Sequence, residues 1–343
     1  MRPSRKETTF KALRPAALAL VFFAALFGAG SLLARVRPLA NVPVAWEKFA
    51  HFSAHSDDYD VIFVGTSRVY RGIIPARFDA ITAAAGVPTH SFNFGIDAMR
   101  PPEDGFIIDQ LLALHPRKLR WVFIELGPLH TEFGERDPES VRVVHWHDWP
   151  RTVLVCRGLL APKGRLIRLR SLLFGNANDR ARFRHALTHL RLCAMRTLNL
   201  GRARAVLDSW DAAKSAPLGD GFATTPVQRM TPEATAEYLR DAAARTPRRS
   251  DLDPASCLAL DRLVAGIRRA GAEPIFINSP RLSGSPIHPA NHPGVPVLDF
   301  MDQRAWPELY APEIRSDSTH LNALGADVYS RVVARRFIEA TRD

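Results

Sequence analysis

The chain has 343 residues, 46% of them hydrophobic and 24% charged, with a net charge of +11. That length and apolar content support one large domain with an insertion, or two modest ones, and exclude global disorder. Three cysteines, Cys156, Cys193 and Cys257, fit no zinc or redox spacing and cannot all pair internally, so they read as small buried side chains with one disulfide at most.

Residues 1–14 carry Arg2, Arg5, Lys6, Lys11 and Arg14 against Glu7 alone. Residues 15–34 follow without a charge and are rich in Ala, Leu and Phe, a length that spans a hydrocarbon core as a helix. This run passes into Arg35 without a small-residue processing site, so an uncleaved transmembrane anchor is expected rather than a signal peptide. By the positive-inside tendency, residues 1–14 form a cytoplasmic tail, and the remainder is extracytoplasmic, tethered to the inner or plasma membrane by a single pass. Residues 35–57 read as a linker.

From residue 58 short apolar runs alternate with longer amphipathic ones, the pattern of an α/β domain. The spacing predicts a strand over 59–64, a helix opened by Pro75, a strand over 90–94, a helix from Pro101 ended by Pro116, and a strand over 121–124. The first part of the domain is thus 58–130. Alternation lapses over 131–251, which reads as a basic, mainly helical insertion, and resumes over 252–343. There the expected elements are a helix over 254–271, strands over 274–277 and 295–298, and a last helix over 321–339 with Leu321, Leu324, Val328 and Val332 on one stripe. Residues 151–204 hold 13 Lys/Arg against one acid, Asp179. This stretch is either a solvated helical face or a surface for anionic lipid or an acidic polymer, and its expected side of the membrane argues against nucleic acid.

Two short motifs carry reactive chemistry. Gly65-Thr66-Ser67 closes the first predicted strand and puts Ser67 at the carboxyl end of a parallel strand, where open α/β sheets bind ligands. Taken alone, such a serine reads as a polar turn residue or a helix cap. Asp317-Ser318-Thr319-His320 precedes the last helix, and its spacing lets the carboxylate hold one imidazole nitrogen while the other faces a serine. Together Ser67, Asp317 and His320 supply a nucleophile, an orienting carboxylate and a base.

With Asn93-Phe94-Gly95 after the second strand and Gly127 after the third, these pieces resemble the SGNH, or GDSL-like, hydrolase superfamily in order and strand-end placement, over 55–130 and 252–340. The resemblance implies a three-layer α/β/α, flavodoxin-like parallel sheet. It makes Ser67 the nucleophile, His320 its general base and Asp317 the orienting group, with the N–H groups of Ser67 and Gly95 as oxyanion donors and Asn93 beside them. The family's third block usually reads Gly-x-Asn, its asparagine being a further donor, whereas this chain has Gly127-Pro128-Leu129. His130 or Asn278 would replace the missing donor, or the hole has only two. The chain is similar to membrane-attached members that O-acetylate envelope polysaccharides, which implies an acyl ester or polysaccharide substrate.

Glu125, at the end of the third strand, reads as a buried carboxylate near the site or as an arginine's partner. His145-Trp146-His147-Asp148-Trp149 offers two histidines but no third ligand, so no metal is expected, and no cofactor. Its aromatic residues, like Trp306 and Tyr310, suit either a platform for sugar rings or ordinary packing. The expected function is serine-dependent acyl ester hydrolysis or O-acyl transfer on an extracytoplasmic substrate. The rival is an inactive scaffold of the same fold that binds acidic polymer or a membrane partner.

Overall fold

A computed structural model of the protein describes residues 5–36, 42, 44–133, 140–161, 176–197, 219–223 and 229–342. Five strands, β1 Val61–Val64, β2 Ser91–Asn93, β3 Trp121–Glu125, β4 Glu273–Asn278 and β5 Val297–Asp299, form one sheet in the spatial order β2-β1-β3-β4-β5. Every pairing is parallel: Ile62 stands opposite Phe92 and Val122, Phe123 opposite Ile275, and Ile277 opposite Leu298. Both faces of the sheet are covered, so the strands are nearly continuous apolar runs rather than alternating ones.

Odd and even positions of β1 feed two separate cores. Val61 and Phe63 pack with Phe123, Ile275 and Ile277 under helices α4 Pro75–Ala84 and α11 Ala323–Arg342. Ile62 and Val64 pack with Val122, Ile124 and Phe276 under α2 Ala45–His55, α5 Glu103–Leu112 and α10 Pro254–Arg269. The result is a three-layer α/β/α arrangement. In the first core the Phe63 ring lies 4.5 Å from Phe123 and 5.0 Å from Phe78, and Phe78 lies 5.3 Å from Phe337. Each such aromatic pair adds about 1 kcal/mol beyond the area it buries. Helix starts follow local rules: Pro75 and Pro254 take the first turn, and Asp253 accepts from the N–H groups of Ala255 and Ser256.

The N-terminal helix α1 Arg5–Val36 contains a 19-residue stretch, Arg14–Leu32, with mean hydropathy 2.0, long and apolar enough to cross a membrane. The expected linker over 35–57 is corrected in part, because α2 occupies 45–55 and is integral to the domain. Phe49 and Phe52 are buried in the second core, and the ammonium of Lys48, itself fully buried, donates to the carbonyls of Asn93 (2.8 Å) and Gly95 (2.7 Å). Without an apolar periodicity longer than three turns, and with a lysine at a core position, this segment gives only a faint helix signal.

Within 131–251 the described residues are mostly helical: α6 Val141–Trp146, α7 Trp149–Leu160, α8 Ala177–Thr197 and α9 Pro232–Ala244. Part of its basic charge is spent internally. Arg151 pairs with Asp148 and with Asp109 of α5, and Arg196 donates to the carbonyl of His145 (2.8 Å). The remaining arginines and lysine at 162–175 and 198–204 lie outside the described residues. Cys156, Cys193 and Cys257 are free thiols.

Candidate active site

The carboxyl ends of β1 and β3 adjoin at the centre of the sheet, where ligands of open α/β folds bind. Directly after β1, Gly65 permits a close approach that no other residue would. A Cβ there would lie 2.4 Å from the Val69 side chain and 2.7 Å from Cβ of Glu125. The chain then turns into the short helix α3 Ser67–Tyr70, capped by Thr66, whose hydroxyl accepts from the N–H of Arg68. Ser67 therefore sits in a first helical turn, where N–H groups have no intrahelical partner.

His320 reaches Ser67 from the other end of the chain. Ser67 Oγ lies 2.7 Å from His320 Nε2, and His320 Nδ1 lies 2.8 Å from Asp317 Oδ2. A carboxylate only accepts, so Nδ1 carries the proton and Nε2 is left to accept from the serine hydroxyl. Asp317 holds His320 from a tight loop and not from a helical turn. Its Oδ1 accepts from the N–H groups of Thr319 (2.7 Å) and His320 (2.8 Å), closing a tight loop. Burial opposes ionisation of this carboxyl, but the bonds from the His320 ring and from the two N–H groups outweigh it and hold it at about 2. On the far side, Asn322 Oδ1 accepts from the N–H groups of Leu324 (3.0 Å) and Gly325 (3.2 Å), fixing the loop to the start of α11.

Two neighbours that the motifs do not include hold these loops. Arg315, fully buried, donates to the carbonyls of Leu309 (2.7 Å), Pro280 (3.2 Å), Ser318 (3.3 Å) and Asp317 (3.3 Å), clamping the Asp317–His320 loop from beneath. Lys48 does the same for the loop after β2, its ammonium 3.9 Å from the centre of the Tyr70 ring. Burial lowers its pKa well below the ordinary lysine value, partly offset by Asp220 and Asp97. A basic residue two before Asp317 was visible in the sequence, but only its burial gives it this role.

Glu125 unites both readings made of it. It is buried, and it accepts from the N–H of Thr66 (2.7 Å) and from Arg68 Nε (2.6 Å). Burial alone would raise its pKa, but Arg68, the Thr66 N–H and Ser279 reverse that and keep it ionised.

Three expected oxyanion groups are corrected. The N–H of Gly95 is already given to Asn93 Oδ1 (2.8 Å), and a Cβ on Gly95 would lie 2.4 Å from the backbone nitrogen of Tyr70. Gly95 is a close-packing residue, not a donor to substrate. Asn93 is fully buried, and its amide donates to the carbonyls of Val69 (2.8 Å) and Ile73 (2.7 Å), so it braces α3 from behind. Asn278 exchanges bonds with Ile287 (3.0 and 3.1 Å) and fixes the loop after β4. In each case a buried amide satisfies backbone groups, which costs less than leaving them unpaired.

The Ser67–His320 pair opens on a cavity of about 820 Å³, within the usual range for small-ligand sites. His130 and the Gly127-Pro128-Leu129 turn line it, and Leu129 brings no donor, as expected. The loop after β2 reaches the cavity at Ala98 and Met99, with Ala98 at φ 57°, a left-handed conformation that an alanine in sequence does not announce. Asp104 lies between this cavity and a neighbouring one of about 340 Å³. Burial, only partly offset by the N–H of Gly105, pushes its carboxyl up to about 7.

Trp149 is exposed, but the rest of the insertion's aromatic run packs inward. Trp146 is buried, and His147 stacks on it and bonds His189 (2.8 Å). Trp306 donates to the carbonyl of Asp299 (2.8 Å), and the Tyr310 hydroxyl to that of Phe300 (3.0 Å). None of these rings lines the cavity. No cluster of metal-ligating side chains occurs among the described residues.

No protein-family model matches this chain, and a search of curated proteins returns no match.

Proposed function

We infer that this protein is a serine-dependent acyl ester hydrolase or O-acyltransferase of the SGNH-like kind, tethered by α1 with its α/β domain on the extracytoplasmic side of the inner or plasma membrane. The observation that carries this reading is the Ser67–His320–Asp317 chain of hydrogen bonds at 2.7 and 2.8 Å. In the proposed reaction Ser67 Oγ attacks the ester carbonyl carbon while His320 Nε2 takes its proton. The tetrahedral adduct collapses, His320 returns the proton to the departing alkoxide, and acyl-Ser67 remains. Water, or a sugar hydroxyl of an envelope polysaccharide, then attacks the acyl carbon with His320 again as base. Asp317, held ionised, keeps the imidazole oriented and stabilises its cationic form.

The fullness of the Gly95 and Asn93 hydrogen bonds, together with Leu129, favours a second reading in which the fold is kept as a non-catalytic scaffold for acidic polymer or a membrane partner. A serine-directed fluorophosphonate separates the two. Labelling at Ser67, abolished in Ser67→Ala and reduced at least about tenfold in His320→Ala, is the expected outcome. A native protein left unlabelled at Ser67 removes the acyl-transfer reading and leaves the scaffold.

A further inference from the structure

The cavity beside Ser67 contains a guanidinium with no hydrogen-bonded counter-ion among the described residues. Arg281 follows β4 and lines the same cavity as Ser67, Thr319 and His320. Its Nε is buried and has no hydrogen-bond partner, and among the described residues no carboxylate lies within ion-pair distance of its guanidinium. Of the other arginines here, Arg68 and Arg315 are satisfied, whereas Arg100, also in the cavity wall, is exposed to solvent. Arg68 has Glu125 at 2.6 Å, and Arg315 has four carbonyls.

Of the four carboxylates in the cavity wall, Asp251 is exposed and none lies within ion-pair distance of Arg281. Glu125 is taken up by Arg68 and the Thr66 N–H. Asp253 is committed to the start of α10 through Ala255 and Ser256. Asp104, with its carboxyl pushed up to about 7 by burial, is only about half ionised at neutral pH and is engaged by the N–H of Gly105 (2.6 Å).

A buried guanidinium N–H without an acceptor is costly, because the hydration it loses is not replaced. A fold tolerates that cost readily where a ligand supplies the missing partner. The backbone of Arg281 is also fixed. Its N–H donates to the Tyr310 hydroxyl (3.1 Å), which is itself held by the Phe300 carbonyl (3.0 Å). The side chain therefore projects from a rigid point, as a preorganised anchor should. A planar fork of N–H donors matches the two oxygens of a carboxylate or the paired oxygens of a phosphate.

We propose that Arg281 binds a carboxylate or phosphate group carried by the molecule that reacts at Ser67, so that this site selects anionic esters or anionic acceptors over neutral ones. The assignment rests on the acyl-transfer reading of the cavity and adds to it the charge class of the substrate.

The test uses the full chain in detergent and two acetyl esters that differ in one charge, 4-acetoxybenzoate and its methyl ester. In the native protein kcat/KM is higher for the anionic ester. In Arg281→Gln the anionic-to-neutral ratio falls by about tenfold or more, as loss of a charge-assisted hydrogen bond requires, and Arg281→Lys lies between. The same ratio in native protein and Arg281→Gln, or an equal fall for both esters, overturns the proposal.

Benzoate and inorganic phosphate, each added alone, distinguish the two sources of the anion without any turnover. The one that fits raises the thermal midpoint of the native protein and not that of Arg281→Gln. If Ser67 proves unreactive, the acyl-transfer reading fails, and this binding measurement decides the anion site by itself. A midpoint shift retained in Arg281→Gln, or absent from the native protein with both anions, overturns it.

Discussion

Gly95 shows how one residue type admits two physical explanations that only a neighbour can separate. After a strand end, glycine marks either a backbone N–H aimed at a ligand or a place where chain segments nearly touch. Here Tyr70 decides, since its backbone nitrogen lies 2.4 Å from where a Cβ would stand, and backbone cannot swing aside. Gly95→Ala is therefore expected to destabilise the fold by about 1–3 kcal/mol in urea unfolding and to reduce Ser67 labelling. Gly294→Ala, where nothing lies within 4 Å, is the control that leaves both nearly unchanged. Ser67, Asp317 and His320 were legible because their chemistry and strand-end placement are local. Arg315 and Lys48 were not, because a buried cation looks in sequence like any exposed one. Asn93 and Asn278 were misread for a related reason: an amide serves substrate or backbone with the same atoms.

At the scale of elements, α6 and α8 are joined by two buried imidazoles. His147 bonds the Val143 carbonyl and His189, and His189 in turn bonds the Thr131 carbonyl (3.0 Å). Burial lowers His147 to about 3 and His189 to about 4, with the neighbouring carbonyls resisting the shift. Both rings are thus largely neutral in the folded protein above about pH 5, whereas in the unfolded chain they take protons below about 6.5. Between those limits the unfolded chain binds more protons, so this pair makes stability rise with pH and fall on acidification, by up to about 1.4 kcal/mol per pH unit for each ring. Asp104 works in the opposite sense. Its raised carboxyl stays protonated on folding, so its contribution is lost as pH rises from about 4 towards 7. The difference between native protein and a His147→Gln/His189→Gln variant isolates the histidines. Urea-unfolding free energies measured from pH 4 to 6.5 are expected to have a flatter slope in the variant, and parallel slopes would contradict the assignment. The helical insertion was legible as a loss of alternation, but the pairing of its histidines across α6 and α8 was not, because no sequence period links residues 42 apart.

At the scale of the molecule, the α/β unit begins at α2 rather than at β1. Phe49 and Phe52 complete the core beneath α5, and Lys48 holds the carbonyls behind the site. A chain starting at residue 37 is expected to fold and to keep the Ser67 geometry, while one starting at 58 exposes that core. Thermal unfolding by circular dichroism separates them: a cooperative transition in the first and its loss in the second is the expected result. The sequence by itself determined the α/β alternation, a helix able to cross a membrane, and the three groups of the triad, since apolar period, run length and side-chain chemistry are local properties of the chain. Only the tertiary structure decided which polar groups were already spent. Gly95, Asn93 and Asn278 take part in backbone hydrogen bonds within the fold, Arg315 and Lys48 clamp the loops, and Nε of Arg281 is left without an acceptor among the described residues. Whether a donor or acceptor is available depends on what lies within 3 Å of it, and those neighbours come from distant parts of the chain.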